Sequence, residues 1–493
     1  MNPSPIRDTP GNISKMLSER LKLESPLLFA AAFAFVWLLA RACVQSITFD
    51  EANIYLQFVA GPWPAHWTPD AGNHVLNTAL VRLFTSIFGL SPFTVRIPAL
   101  IGAAIYIAIS LWLARLVGPT QVFRVALFIC LTYNPFVQDY LVVSRGYSLA
   151  LAFFIAVVAI VIQVCMKREA STRTVAIASV CAGLSFCSNF SFAFANAAAI
   201  ISLICYCWRL PMLSRKCLIA GALLPGIAVT VLICGYTLLH WVPGELYYGA
   251  TSLKQMGISV LEGSLYEPNP LLINPLLMGA FRLIRRLFPI AFLVLILTQI
   301  VLVALFRRAL PILLCAMVVA TITIHWLAFR LFGLPLPMAR TALFFAPLLT
   351  LLLATLPVAP TRVRGGALLR TATIAWFAVA GIYFIGCLRL SYFKEWKFDA
   401  DTRAVYLALN DLNRRQPIGS AYVDWIFAPG LNFYNMSYGG TLPHFEHLDF
   451  PLPDRSVYVL WEPMRRPFIE SQHLHVIYKG EISDAVVGIR ATH

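Results

Sequence analysis

The sequence predicts an α-helical polytopic membrane protein with about 11 spans and a small C-terminal extracytoplasmic α/β domain. Three observations predict this fold class. Of the 493 residues, 59% are hydrophobic and only 12% are charged, about half the charged fraction of an ordinary soluble domain. Apolar runs of about 20 residues, the length that crosses a bilayer, recur up to residue 390. Beyond that point the apolar runs shorten and charged residues become more frequent.

The predicted transmembrane domain covers residues 26–390 and follows a cytoplasmic tail over residues 1–25. Its first span lacks the small-residue cleavage pattern of a signal peptide. Only Ser188-Asn189 separates the fifth span from the sixth, so this boundary is left open. The predicted spans are 26–47, 94–115, 121–138, 147–166, 174–189, 190–208, 217–240, 287–306, 309–331, 341–358 and 368–390.

Two long loops are expected on the outer side, over residues 48–93 and 241–286. The first contains an apolar stretch from Val75 to Leu90 that has helical spacing but is too short to span. We expect it to lie along the membrane interface as a helix. Residues 391–493 are expected to form the outer α/β domain, with a helix at 399–415 and strands at 421–425, 456–461 and 475–479.

The distribution of Lys and Arg indicates the orientation. These residues are concentrated in the N-terminal tail and in alternate short gaps, for example at Lys167, Arg168 and Arg307. The positive-inside rule therefore predicts a cytoplasmic N-terminus. An odd number of spans then places the C-terminus in the periplasm or outside the cell, and we expect a multi-pass protein of a bacterial inner membrane. The net charge of +15 implies no nucleic-acid partner, because the cations do not cluster with aromatic residues in a soluble segment.

Acidic residues are distributed with equal asymmetry. Between residues 25 and 390 there are eight, and seven of them fall on the predicted outer side. The exception is Glu169, which lies among cations. Because acidic residues hardly influence topology, their one-sided distribution favours a functional site on the outer side.

The segment Thr48-Phe49-Asp50-Glu51-Ala52 directly follows the first span. Paired carboxylates at a membrane boundary are costly unless they are partnered or solvated. One of them could remove a proton from an acceptor as a general base. Alternatively, both are solvated residues that cap a helix starting near Ala52. The residues alone leave these two interpretations about equal.

Three further polar residues lie at predicted outer helix starts. His74 would occupy the first turn of the interfacial helix behind Asn73 as a candidate cap, and a lone His is more often structural than catalytic. Arg145 and Arg340 run against the positive-inside trend, and each could snorkel to lipid headgroups or hold a phosphate with its planar fork. For another outer group of arginines, contact with membrane lipids is the favoured interpretation; these are Arg282, Arg285 and Arg286.

Taken in order, these motifs resemble the GT-C superfamily of membrane glycosyltransferases. The resemblance is greatest to the bacterial branch related to the protein O-mannosyltransferases and the lipid A aminoarabinose transferases. It covers nearly the whole chain and rests on the order, spacing and common side of the motifs. The matching segments are Phe49-Asp50-Glu51; Asn73-His74-Val75-Leu76-Asn77-Thr78 with Leu90, Arg96 and Pro98; Ser144-Arg145-Gly146-Tyr147-Ser148-Leu149; Pro337 to Arg340 with Phe345-Ala346-Pro347; Glu395-Trp396; and Asp399-Ala400-Asp401-Thr402.

The resemblance implies a GT-C-like enzyme that moves a sugar from a polyprenyl-phosphate donor to a lipid, glycan or protein acceptor at the outer face. It implies that Asp50 is the catalytic base or orients the acceptor. Glu51, His74, Arg145 and Arg340 then become substrate-binding residues, with the two arginines at positions suited to the donor phosphate.

The cofactor and the reaction class are less tightly implied. The second acidic motif of the protein O-mannosyltransferases is not clearly present, and Asp70 and Asp139 match it imperfectly. No cofactor is therefore assigned, and a divalent metal is left open. A transporter or flippase is the main alternative, although it would place ionisable groups in mid-membrane, where His325 is the chief candidate. A membrane scaffold that binds a partner through its outer domain is the other.

Overall fold

The computed structural model describes residues 10–210, 214–242, 244–358, 366–446 and 455–490. Three arginines that count among the predicted cytoplasmic cations, Arg7 in the N-terminal tail and Arg362 and Arg364 in a short gap between spans, lie outside these ranges. Helices dominate the described residues. They are α1 (Pro10–Val44), α2 (Phe49–Ile54), α3 (Val75–Phe88), α4 (Pro92–Val117), α5 (Gln121–Thr132), α6 (Pro135–Tyr140), α7 (Tyr147–Lys167), α8 (Thr172–Ser188), α9 (Ala193–Cys207), α10 (Arg215–Leu239), α11 (Leu253–Ser264), α12 (Pro275–Phe306), α13 (Ala309–Phe332), α14 (Phe345–Ala354), α15 (Gly366–Gly386), α16 (Thr402–Arg415), α17 (Ala428–Ser437) and α18 (Glu462–Ser471).

Eight helices in the described part of the chain are long and apolar enough to cross a membrane. They lie in α1, α4, α7, α9, α10, α12, α13 and α15. This confirms the predicted polytopic α-helical architecture of an integral membrane protein. The remaining three predicted spans, at 121–138, 174–189 and 341–358, correspond to the shorter helices α5, α8 and α14.

Two boundaries differ from the prediction for local reasons. The predicted span 121–138 is interrupted after Thr132, because Pro135 cannot continue the hydrogen-bonded ladder and Asn134 caps the new helix α6 instead. The predicted span at 287–306 is the second half of a longer helix that begins at Pro275. Three arginines in its first half made that half resemble a loop in sequence.

The C-terminal region contains a small sheet, as predicted, and the sheet has four strands. Its strands are β1 (Ala421–Val423), β2 (Val457–Trp461), β3 (His475–Lys479) and β4 (Ala485–Ile489). They are ordered β1-β2-β4-β3, with β1 parallel to β2 and the other neighbours antiparallel. The sequence interpretation identified the first three strands and missed β4, a run of five residues directly after the turn that follows β3.

This C-terminal region packs directly on the segment after the first span. Ile47, Ala52 and Tyr55 share one buried apolar cluster with residues of α16, α17 and the sheet. The backbone N–H of Ile47 donates to the Tyr434 hydroxyl at 3.0 Å, and that of Phe49 donates to Asp399 Oδ2 at 2.6 Å. The C-terminal region therefore holds α2 in place.

Four segments that are distant in sequence meet at one end of the helix bundle. They are α2, the turn between α6 and α7, the link between α13 and α14, and the segment after α15. Asp50 joins all four, because it contacts Arg145, Arg340 and Trp396. The positive-inside argument assigns these segments to the same side; that this side is the outer one remains a prediction.

Candidate functional site

A cavity of about 420 Å³ lies beside this meeting point and is lined by residues of the first three of these segments. Asp50, His74, Arg145 and Arg340 all line it. Four of the five residues singled out by sequence are therefore brought together, although they span almost 300 positions of the chain. Glu51, the fifth, is not among the lining residues.

Helix α2 directs the neighbouring carboxylates of Asp50 and Glu51 into different surroundings. Thr48 caps the helix: its hydroxyl accepts from the Glu51 backbone N–H at 3.2 Å, and its own N–H donates to Glu51 Oε2 at 3.0 Å. This reciprocal capping directs Glu51 back towards the protein interior. Asp50, one residue earlier, projects from another side of the first turn and reaches the cavity.

Glu51 lies in a fully buried ion pair. Both of its carboxylate oxygens bind Arg96, at 3.0 Å from Nε and 2.7 Å from Nη2, and neither side chain has any exposed surface. Oε1 also accepts from the Ser144 backbone N–H at 2.8 Å. These contacts favour a role in holding α2, α4 and the Ser144–Gly146 turn together. The predicted role of Glu51 in substrate binding stays an untested prediction.

Asp50 is the centre of a charged cluster. Its Oδ2 is ion-paired with Arg145, lies 3.4 Å from Arg340 Nη1 and accepts from Trp396 Nε1 at 3.0 Å. Burial opposes the charged carboxylate, but Arg145, Arg340 and the indole N–H outweigh this effect and lower the pKa of Asp50 below its ordinary value. The carboxylate is therefore ionised at neutral pH, and it is a weak base.

The backbone around Arg145 explains how its side chain enters the cavity. Gly146, the residue before α7, has a φ of +70°, which favours glycine. A Cβ atom there would lie 2.0 Å from the Ser188 carbonyl oxygen and 2.9 Å from His74 Cβ. The turn thus packs closely against α8 and His74, and Arg145 is directed towards Asp50.

Arg340 lies in the link between α13 and α14, beside the second predicted outer loop. Leu336 forms an antiparallel bridge with Ala250, and the Ala339 N–H donates to Ser259 Oγ at 3.0 Å. The Arg340 guanidinium carbon lies 4.8 Å from the centre of the Tyr248 ring. Residues of the loop predicted at 241–286 therefore position Arg340.

His74 is buried against this cluster. Its side chain lines the cavity, and neither ring nitrogen has a hydrogen-bond partner among the described residues. Burial, followed by the charges of Arg145 and Arg340, holds the pKa of His74 well below its ordinary value. The imidazole is therefore neutral, with one N–H and one acceptor nitrogen available to a ligand. His74 itself, rather than Asn73 as expected, occupies the position before α3.

The structure adds Glu395 and Trp396 to the site, although the sequence interpretation assigned them no role. Glu395 is ion-paired with Arg340 and accepts a hydrogen bond from the Tyr140 hydroxyl. Trp396 is 3% exposed and donates to Asp50. The sequence feature that could have identified them is their position directly after the last predicted span, within a motif that resembles the GT-C pattern.

The other candidates from sequence occupy different positions. Asp70 lines the cavity. Asp139 is buried away from it, ion-paired with Arg41 at 2.6 Å and bonded to the Tyr266 hydroxyl at 2.6 Å. His325 also lines the cavity; its Nδ1 lies 2.8 Å from the Thr321 carbonyl oxygen. Within the described residues, no three His, Cys, Asp or Glu side chains are grouped as a metal site.

Comparisons with known proteins identify the fold. No protein-family model matches the sequence, and no curated protein sequence matches it significantly. The crystal structure of ArnT from Cupriavidus metallidurans bound to undecaprenyl phosphate is similar, with a TM-score of 0.52 at 10% identity over 96% of this chain and 98% of that chain. The apo form of ArnT gives a TM-score of 0.49 at 11% identity over 94% and 97% of the two chains.

The cryo-EM structure of arabinosyltransferase EmbB from Mycobacterium smegmatis gives a TM-score of 0.43 at 12% identity, over 84% of this chain and 42% of that chain. The similarity to ArnT bound to undecaprenyl phosphate extends over nearly the full length of both chains. The chain therefore shares the fold of ArnT, which agrees with the resemblance of its sequence motifs to the GT-C superfamily.

Proposed function

We propose that this protein is a membrane glycosyltransferase that moves a sugar from a polyprenyl-phosphate donor to an acceptor at the outer face of the membrane. The main support is the convergence of Arg145 and Arg340 on Asp50 in a cavity at one end of the helix bundle. The ArnT structure of the same fold holds undecaprenyl phosphate, which supports a polyprenyl lipid as partner here.

Two guanidinium groups are suited to the donor phosphate. Their side chains are only 8% and 18% exposed for Arg145 and Arg340, so an anion there would be bound with little screening by water. As the bond between the sugar and the phosphate oxygen breaks, its electron pair stays on the phosphate. The two cations stabilise this growing charge and lower the barrier.

The cavity has room and contacts for the sugar. Its volume falls within the range of about 300–1,000 Å³ typical of small-molecule sites. The neutral His74 ring can donate to or accept from a sugar hydroxyl. Phe194 and Leu334 line the cavity between α9 and the end of α13 and form an apolar wall suited to the start of the lipid chain.

Replacing His74 with Ala tests its contact with a sugar hydroxyl. We expect the KM for the donor to rise while kcat changes little. An unchanged KM would exclude this contact.

Asp50 is the candidate catalytic residue on the acceptor side. With a hydroxyl acceptor, oxygen forms the new bond to the sugar and its proton must leave. Because the two arginines lower the pKa of Asp50, we infer that its carboxylate orients the acceptor and the arginines at least as much as it removes the proton. The acceptor class, whether lipid, glycan or protein, is left open.

The transporter alternative has less support from the geometry. Apart from His325, the ionisable residues that line the cavity lie at one end of the bundle, near the ends of helices or in the segments between them. His325 in α13 lies 4.9 Å from the Phe194 ring and 5.6 Å from the Phe344 ring, centre to centre. A packed and hydrogen-bonded histidine is an ordinary structural residue.

Transfer of labelled sugar from a polyprenyl-phosphate donor by the purified protein tests the function directly. We expect Arg145→Ala and Arg340→Ala to lower donor use by about 10- to 100-fold each, since a hydrogen bond to a charged group contributes about 1.5–3 kcal/mol. Arg282→Ala, an exposed arginine outside the cavity, is the matched control. Normal donor use by both cavity variants would leave contact with lipid headgroups as the role of Arg145 and Arg340. Uptake of substrate into sealed vesicles without sugar transfer would instead identify a transporter.

We also propose that the N-terminus is cytoplasmic and that the cavity opens to the periplasm or cell exterior. The support is the concentration of Lys and Arg on the opposite side of the bundle. A reporter that is active only outside the cytoplasm, fused after His493, should be active. A reporter active only in the cytoplasm should be inactive at the same position, and the reverse result would move the site to the inner face.

A further inference from the structure

Two carboxylates share the guanidinium group of Arg340. Its Nη1 is ion-paired with Glu395 and lies 3.4 Å from Asp50 Oδ2. Asp50 is at the same time the ion-pair partner of Arg145. Two cations and two anions therefore balance each other in this cluster, which relieves the high cost of burying unpaired guanidinium groups.

The two carboxylates are held with unequal strength. Asp50 is 17% exposed, and three donors converge on one of its oxygens. Glu395 is 35% exposed and is held by Arg340 and the Tyr140 hydroxyl. Glu395 can therefore rotate into water at low cost, whereas displacement of Asp50 would break more contacts in a more buried place.

The residues on both sides of Glu395 are anchored, so this movement needs only the Glu395 side chain. The Lys394 N–H donates to Asp139 Oδ2 at 3.0 Å, and the Lys394 ammonium donates to the Glu262 carbonyl at 2.9 Å. On the other side, the Trp396 indole donates to Asp50 at 3.0 Å. Asp139 is thus a positioning residue for the segment that carries Glu395.

A phosphate that enters this cluster changes its charge balance. The phosphodiester of a lipid-phosphate sugar carries one negative charge. The phosphate monoester left after transfer carries about 1.5–2 negative charges at neutral pH. With both carboxylates in place, either form would leave excess negative charge in a poorly screened site. One of the two carboxylates must therefore leave Arg340.

We propose that Glu395 is a placeholder anion: the donor phosphate displaces it from Arg340, and its return helps to expel the lipid phosphate after transfer. This inference rests on the proposed function, and it assigns to Glu395 control over the affinity of the site for its lipid product. Tyr140 contributes by holding the carboxylate close to Arg340, ready to return.

Binding of undecaprenyl phosphate to the full-length protein in detergent tests the proposal. We expect Glu395→Gln to bind the lipid about tenfold more tightly than the unmodified protein, which corresponds to about 1.4 kcal/mol, because the competing charge is removed while the shape is kept. Tyr140→Phe should shift affinity in the same direction by less. In turnover assays, Glu395→Gln should lower donor KM and also lower kcat, with stronger inhibition by the lipid product.

Glu267→Gln is the matched control, because Glu267 is a 77% exposed carboxylate ion-paired with Arg285 outside the cavity. Unchanged or weaker lipid binding by Glu395→Gln would overturn the placeholder role, as would an equal shift in the Glu267 variant. If the unmodified protein binds no undecaprenyl phosphate, the proposed function fails together with this inference. If the unmodified protein binds the lipid but Glu395→Gln does not bind it more tightly, only the placeholder role of Glu395 is rejected.

Discussion

Replacing Asp50 with Asn should lower sugar transfer to a hydroxyl acceptor by about 100-fold or more, within the range of acid–base catalysis. Asn keeps the size of the side chain but removes the charge that organises Arg145 and Arg340. The measurement is kcat per folded protein in the labelled-donor assay, with Glu267→Gln as the control. A solvated carboxylate, one of the two interpretations left open by the sequence, would have little influence on stability. In the structure the Asp50 side chain is 17% exposed and ion-paired, so some loss of thermal stability should accompany the loss of turnover.

The same prediction has a pH component. Because Arg145, Arg340 and Trp396 overcome the effect of burial and lower the pKa of Asp50, its carboxylate stays charged as the pH falls from 8 to 5. Its stabilising ion pair would be lost only as the pH falls through this lowered value, below the ordinary pKa of 3.8. Titration of Asp50 should therefore produce no acid limb in the pH–rate profile between pH 5 and 8. An acid limb in this range that is absent from Asp50→Asn would contradict the ionised state.

Near-normal turnover by Asp50→Asn on a hydroxyl acceptor would show that the assignment is wrong. A milder loss with a phosphate acceptor would instead indicate an orienting role, since no proton need then be removed. Asp70 and Glu245 line the cavity and would be the next carboxylates to test. Asp139, an alternative from sequence, would not, because its partner is Arg41.

Replacing Glu51 with Gln should damage folding more than catalysis. The change leaves the Arg96 guanidinium buried without its anion, which costs about 3–5 kcal/mol for a buried pair. Arg96 cannot turn away, because it also donates to the carbonyls of Gln45 at 2.8 Å and Ser46 at 2.6 Å. We expect a low yield and a clearly lower thermal unfolding temperature in detergent. Turnover of the fraction that folds should fall less than in Asp50→Asn.

The control for this experiment is again Glu267→Gln. Its partner Arg285 is 41% exposed, and exposed ion pairs contribute only about 0–1 kcal/mol. Equal thermal stability of the Glu51 and Glu267 variants would contradict the structural role of Glu51. A normal unfolding temperature together with a large rise in donor KM would instead support the substrate-binding role predicted from sequence.

Membrane helices are predictable from sequence because their signal is local. About 20 consecutive apolar residues are both necessary and nearly sufficient for a span, and seven of the eight long apolar helices coincide closely with predicted spans. The eighth, α12, was placed too late in the chain because Arg282, Arg285 and Arg286 interrupt the apolar pattern of its first half. Charge therefore obscures helix ends even where hydropathy identifies the helix.

The sequence predicted which residues belong to the candidate site better than it predicted their roles. Asp50, His74, Arg145 and Arg340 could be selected because each is a polar residue at a predicted outer helix start and part of a matched motif. Their convergence on one cavity depends on contacts up to 290 positions apart. Glu395 and Trp396 lie in the same matched pattern, but only their partners reveal their role.

Asp50 and Glu51 show most clearly which properties the sequence determines and which depend on the tertiary structure. By itself, the sequence determined that a pair of carboxylates follows the first span, and it predicted that they lie on the same side of the membrane as most of the other acidic residues. The tertiary structure decided that Asp50 faces Arg145 and Arg340 in the cavity while Glu51 is buried against Arg96. Adjacent residues in a helical turn point about 100° apart, so the elements that pack on each face determine the environment. That packing is a long-range property, which local patterns of hydrophobicity and charge do not encode.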